Sequence, residues 1–529
     1  MYWAMPNRRE KCSLNISDVV PGFGLTKLAA VAIRGALTLA VLSTLLLIAR
    51  SAQAQNETVL YDFAGSPDGA NPSSSLTSDG QGNFYGTTFG GGAGYGTVFE
   101  LSPNGSGGWN ETVLYSFCSA LNCVDGADPN YSDVIFDSAG NLYGTAIGGG
   151  ASDAGVVFEL SPTGGNWTET VLHNFGGGPD GESPAGNLIM DAAGNIYGMT
   201  MAGGASGFGT VFEVSPAGGG WTEQVIYSPN NESSPYWLNP GLTIDAAGNI
   251  FGTTYSTVFE LSPNGNDGWN STVIHAFGGT PDGINAVGMP VFDQAGNLYG
   301  TTWGGGTKND GTVHRLTPKK NGTWTEKVLY SFEGPAKKDG EHPQAGVVLD
   351  SAGNIYGATA GGGKYNLGGS VFELVAGKGK YEEKLLWSFL VADGAVPNSS
   401  LIWDSAGNLY GTADLGGSTS NGVVFEVSPS ATTTPTTSAL SSSPNPSTYG
   451  EQVTFTAVVT PAPPDGETVV LIEPTSQVLY GTLSGGSATF IMPGYSEGSY
   501  KFTAAYVGDA NLAPSQSNTV KQVVERPGK

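Results

Sequence analysis

Residues 188–214 read LIMDAAGNIYGMTMAGGASGFGTVFEV, and this stretch decides the fold. An apolar run ends on Asp191, Gly194-Asn195 form a turn, and Ile196-Tyr197-Gly198 opens a second run. A glycine-rich loop then leads to Thr210-Val211-Phe212-Glu213-Val214. Short apolar and aromatic runs bounded by Gly, Asn and Asp predict strands joined by tight turns, because Gly and Asn tolerate the left-handed backbone that such turns need. The phrase D-x-x-G-N-x-(Tyr/Phe)-G recurs at Asp79, Asp137, Asp191, Asp245, Asp293, Asp350 and Asp404, at spacings of 58, 54, 54, 48, 57 and 54 residues. Self-similarity at this period predicts a propeller or a solenoid.

Each unit reads as four strands: the run ending on Asp, the aromatic run after Gly-Asn, a third such as TVFEL at 97–101, and a fourth such as ETVLYSF at 111–117. Helical periodicity is absent beyond residue 54. A strand of the fourth type, ETVLYDF at 57–63, precedes the first Asp phrase, and the last unit stops after its third strand at 422–428. The orphan strand can complete the last unit and remove the exposed edges a linear array would leave. The expectation is an all-β chain with a seven-bladed β-propeller over 55–429. A Thr/Ser/Pro linker over 430–440 and an Ig-like β-sandwich over 441–526 follow, the latter from alternating runs such as Val453 to Val459.

The first 54 residues carry six basic side chains and an apolar run, Gly35 to Ala49, too short to span a bilayer. Ala52-Gln53-Ala54 follows, so a signal peptide over 1–54, cleaved after Ala54, is expected, with the mature chain secreted or at the cell surface. What remains has 15 basic and 44 acidic residues, a net charge of −29. That repels phosphate backbones and anionic lipid, which argues against nucleic acid and membrane-surface partners. No membrane span is expected after cleavage. Cys118 and Cys123 fit a short disulfide-clamped loop in an oxidising compartment, whereas zinc would need a second pair of ligands.

The repeated GNLYGTTxxGG…GTVFEL phrase resembles the Gloeo/Verruco (GloVer) tandem repeat of bacterial surface proteins, across all seven units. The tail, SSPNPSTYGEQVTFTAVVTP…GSYKFTAAYVGDANLAPS, looks like a bacterial Ig-like repeat. The resemblance implies a surface or secreted protein and supplies no catalytic residues.

Residues present in every unit read as scaffold, so the seven Asp phrases are expected to be hairpin turns and no metal or cofactor is assigned. Gly494-Tyr495-Ser496-Glu497-Gly498 matches a nucleophile-elbow string without the helix it needs, and no catalytic residue is assigned. The repeat breaks at the unit of Asp245, which lacks the glycine-rich insert and reads Thr254-Tyr255-Ser256. The loop before it loses its Asp-Gly and reads SPNNESSPYWLNPG, with Asn231, Glu232, Tyr236 and Trp237. The next unit adds Trp303 and Asp310. Aromatics beside amides and carboxylates are what sugar rings need, so a notch that binds an extracellular glycan or surface polymer is expected there. Neutral drift of one repeat is the plainer explanation of the same residues. The chain reads as a binding or adhesion module, with a polysaccharide lyase or hydrolase, or a purely structural surface component, as alternatives.

Overall fold

The computed structural model describes residues 56–229, 241–265, 268–428, 434–472, 478–492, 495–506, 508, 512 and 515–526. Among them every regular element is a strand, apart from three single-turn 3-10 segments. The signal segment of the sequence reading lies outside the described residues, and no described helix is long and apolar enough to cross a membrane.

Each Asp phrase carries one sheet built on four antiparallel strands, paired in chain order in all but the last, and the sheet of Asp191 adds a short parallel fifth strand, Ser132–Asp133. The sheet of Asp191 runs Glu182–Met190, Ile196–Ala202, Thr210–Ala217 and Gly220–Tyr227. Seven such sheets, numbered 1 to 7 by their phrases, lie among the described residues between 56 and 428. Sheet 7 takes its fourth strand from the other end of the chain: Asn56–Asp62 pairs with Val423–Ser428, from Asn56↔Ser428 to Asp62↔Val423.

The Asp phrase closes on itself. Asp191 Oδ1 accepts the N–H of Ala193 and of Asn195, both at 2.9 Å, while Oδ2 accepts Asn195 Nδ2–H at 2.8 Å and Tyr197 O–H at 3.1 Å. Partial burial would raise this carboxyl, but the Asn195 and Ala193 donors outweigh it and hold it below the ordinary range. Its oxygens are thus occupied by its own turn.

Tyr-Gly and Val-Phe are coupled in the sequence because they touch. The fully buried Phe212 ring lies over Gly198, where a Cβ would come 2.4 Å from its Cζ. Gly144 under Phe158 and Gly411 under Phe425 repeat this at 2.5 and 2.7 Å. Each buried Phe contributes about 1.5–3 kcal/mol. Sheet 5 alone carries histidine there: His314 lies over Gly300, and burial, with His275 second, pushes its pKa down to about 3.

Apolar clusters fill the seams between consecutive sheets, and the last seam closes the series. Phe84 and Phe99 of sheet 1 pack with Tyr410 and Val424 of sheet 7. Clusters of the same kind join each intervening pair.

After six of the seven fourth strands a ring reaches the Asp of the following loop. Tyr61 donates to Asp68 at 3.1 Å, Tyr115 to Asp125 at 2.8 Å, Tyr330 to Asp339 at 2.9 Å and Trp387 Nε1–H to Asp393 at 3.1 Å. His173 and His275 stand 3.3 Å from Asp180 and Asp282.

The C-terminal strands form two sheets. Thr437–Ser443, Val453–Thr460 and Ser487–Met492 make one, and the other is built on Thr468–Ile472, Val478–Thr482, Gly498–Tyr506 and Val520–Glu525. Phe455, Val469, Leu471, Phe490 and Phe502 share one core. Thr437–Ser443 begins inside the stretch read as linker, because a Ser-rich edge strand needs only Leu440 to face the core. Leu390 and Ala392 meet Val470, Ile472 and Ala505, so these sheets rest against the loop after sheet 6.

Candidate functional site

Asn231, Glu232, Tyr236 and Trp237 lie outside the described residues. Tyr255 sits half-buried in the turn between Ile250–Thr253 and Thr257–Pro263, a turn tied by Thr254 Oγ1, which accepts Thr257 N–H at 3.0 Å. Among the described residues no ring contact joins Tyr255 to Trp303.

Trp303 and Asp310 are brought together by His342, a residue outside the expected site. Trp303, near the end of Leu298–Gly305, stacks face to face on His342, with centroids 4.0 Å apart and planes 9° from parallel. His342 Nδ1 lies 3.0 Å from the Trp303 carbonyl oxygen. A carbonyl only accepts, so the proton is on Nδ1 and Nε2 carries the lone pair. The His342 backbone N–H donates to the Asp310 carbonyl at 2.8 Å. Asp310, Glu341 and His342 each bring one ligand atom within 4.8 Å of the other two.

The backbone explains the approach. A Cβ on Gly311 would stand 2.6 Å from Pro343 Cδ, and one on Gly334 would stand 2.6 Å from Asp310 Oδ2. Glycine at both places lets the loop of sheet 5 close on the loop entering sheet 6. His342 itself is left-handed, with φ +56°, a conformation that costs a non-glycine residue on the order of 1 kcal/mol.

The same left-handed position recurs at Asn71, Asp128, Ser183, Asn285 and Val396, with φ between +55° and +59°. Each stands two residues after the glycine of an Asp-Gly pair, and five of the six positions precede proline. The D-G-x-x-P spacing carried this signal. It was missed because the Asp-Gly pair drew attention to the conserved-looking turn and away from the variable residue behind it.

Chemically, the cluster offers a half-buried aromatic platform, an imidazole nitrogen with a lone pair, and two carboxylates. One nitrogen and two oxygens could hold a divalent cation. The same oxygens could accept hydroxyl hydrogens. Elsewhere, Cys118 and Cys123 are bonded, with Cα atoms 4.0 Å apart. Ser496 of the elbow-like string bonds the Tyr500 hydroxyl at 2.7 Å, with no helix following.

No curated protein matches the chain. Among solved structures, an extracellular domain assigned to a one-component system of B. thetaiotaomicron is 13% identical, with a TM-score of 0.46, covering 90% of this chain and 58% of that one. The chain therefore spans less than two thirds of that relative. The GH43 protein BlXynB of Bacillus licheniformis is 10% identical, with a TM-score of 0.30, covering 85% of this chain and 86% of that one. At these values the likenesses speak to neither ligand nor reaction. The Gloeobacter/Verrucomicrobia repeat, by contrast, matches residues 109–267 and 254–490, well over half of the sequence. The chain belongs to the Gloeobacter/Verrucomicrobia repeat family.

Proposed function

We propose that the chain is a secreted or cell-surface binding module, a seven-bladed β-propeller carrying an Ig-like domain, which takes an extracellular glycan at the loops around Trp303. The seven four-stranded sheets and the strand exchange between the chain's two ends support the propeller. The apolar run Gly35 to Ala49 followed by Ala52-Gln53-Ala54 supports export, and the Cys118–Cys123 bond fits an oxidising compartment.

The observation that carries the binding reading is the Trp303–His342 stack beside Asp310 and Glu341. A stacked ring pair held by backbone bonds is a rigid platform, and rigid aromatic surface flanked by acceptors suits a sugar's apolar face and its hydroxyl rim. The net charge of −29 selects against anionic polymers and favours a neutral glycan. Asn231, Glu232, Tyr236, Trp237 and Tyr255 extend the proposed surface on the sequence argument alone.

A hydrolase is the second reading, favoured by the two carboxylates of one cluster, Asp310 and Glu341, since glycoside cleavage uses a carboxyl pair, about 5 Å or more apart. Incubating the chain with a panel of neutral and charged polysaccharides separates the two. Retention without product supports binding, release of reducing or unsaturated ends supports an enzyme, and neither would contradict both.

A further inference from the structure

The fourth strands carry a buried glutamate that the scaffold does not explain. Glu57, Glu111, Glu169, Glu223, Glu326 and Glu383 occupy one register position, opposite the last apolar residue of the third strand, as Glu111 is opposite Leu101. In all six, Oε1 is buried and finds no hydrogen-bond partner. Each faces, across a seam, the loop Asp already bonded to a ring of the neighbouring sheet. The pairs are Asp68 with Glu111, Asp125 with Glu169, Asp180 with Glu223, Asp282 with Glu326, Asp339 with Glu383, and Asp393 with Glu57.

The seventh seam is the control within the molecule. The loop between Ser228 and Gly241 contains no Asp, and Ser271 stands at the glutamate position, opposite Leu261. Both members of the pair are gone together. Two surface carboxylates under separate constraints would have no reason to be lost as a unit.

The Asp of each pair accepts N–H donors of its own loop, and Asp125 Oδ1 is left buried without a partner, as is Oε1 of the Glu169 it faces. Asp393 accepts Trp387 Nε1–H at 3.1 Å and the Leu390 N–H at 2.7 Å, and Asp339 accepts Tyr330 O–H together with the Glu333 and Gly340 N–H groups. Donors pointed at the Asp favour its ionised form, against burial, which raises Asp339 and takes Asp393 to about 7. A second ionised carboxylate beside it, out of water, would be strongly unfavourable. We propose that six of the seven seams are closed by a proton: the glutamate stays a carboxylic acid and donates its hydrogen to the Asp carboxylate of the neighbouring sheet.

The surroundings agree. Burial first, and the facing Asp second, raise Glu111, Glu169, Glu223, Glu326 and Glu383 to about 7. Glu57, only 8% exposed, is raised by burial, then by Asp393 and Glu426, and Tyr365 and Tyr480 also face Asp393, itself 4% exposed. Other groups at these seams are Tyr61, Tyr115, His173, His275, Tyr330 and Glu333, and burial lowers His173 while Asp180 raises it. Among the described residues no lysine or arginine acts on any of the six glutamates.

The sign follows from linkage. A glutamate raised from 4.5 to about 7 holds its proton in the folded chain and sheds it on unfolding, so its stabilisation is complete below pH 4.5 and lost as pH rises through about 7. The test is calorimetry of the full chain at pH 6 in buffers of different ionisation heat, which counts protons released on unfolding. Glu57→Gln keeps a donor for Asp393 and should lower the count by about one proton. Glu111→Gln should do the same at a half-exposed seam, and serves if the first variant does not fold. Tm of the wild type should fall between pH 5 and 7.5, and each Gln variant should show a smaller fall. An unchanged proton count in both variants, or a Gln variant keeping the full wild-type fall in Tm, would overturn the proposal.

Discussion

The seams and the loop end of this molecule are built from the same repeat and obey opposite rules. Along the seams, what one sheet does the next repeats: Phe over Gly, Asp in its own turn, a ring on the following Asp. At the loop end the backbone repeats but the side chains do not. The left-handed residue is Asn71, Asp128, Ser183, Asn285, His342 or Val396, all within a few degrees in φ. Only at His342 does it stack on a tryptophan. The fold has fixed the places and left their occupants free, which is the condition under which a scaffold acquires a particular ligand.

That contrast can be broken from either side. The largest effect is expected at the seam core: Phe212→Ala should cost about 3–5 kcal/mol by chemical denaturation, through lost burial and the cavity left over Gly198. Gly198→Ala attacks the same contact by overfilling it, with a Cβ 2.4 Å from the Phe212 ring, and should cost about 1–3 kcal/mol. Equal stability in both variants would mean that the repeated Gly-Phe contact is not what holds the sheets.

His314→Phe should go the other way. It restores the residue of the other six sheets, and His314 Nδ1 is buried without a partner. With its pKa depressed from 6.5 to about 3, His314 stays neutral when folded and protonates when unfolded, so stability is full above pH 6.5 and falls below it. At pH 5 the variant should gain about 2 kcal/mol more than at pH 7, from roughly 1.4 kcal/mol per unit of pH. A pH-independent gain would show that His314 does not titrate with folding. The smallest effect on stability is expected at the loop end, where Trp303→Ala removes one ring pair and should cost about 0.5–1.5 kcal/mol.

The sequence made the seams legible because their chemistry is periodic. The Asp phrase alone placed seven sheets, and the strand type at 57–63 placed the exchange of ends. It left the first four residues of Thr437–Ser443 in a linker because a strand with Leu440 as its one buried side chain carries no periodicity. The site was half legible. Trp303 and Asp310 stood out as departures from the repeat, but Glu341 and His342 lie 30 residues further on, and their approach depends on Gly311 meeting Pro343 and Gly334 meeting Asp310. Contacts between the loops of two units have no signature within either one. Four of the six seam glutamates, Glu111, Glu169, Glu223 and Glu326, stand two residues after a tryptophan, yet the partner of each is a residue of the neighbouring unit, and only the joint loss at Ser271 reveals the pairing.

The most direct test of the binding account is the affinity of the full chain for a retained neutral polysaccharide, measured beside Trp303→Ala and His342→Ala at matched Tm. The account predicts that both variants lose binding by tenfold or more while keeping the wild-type unfolding transition within a few degrees. Unchanged affinity in both variants would contradict it and move the ligand away from the Trp303–His342 stack.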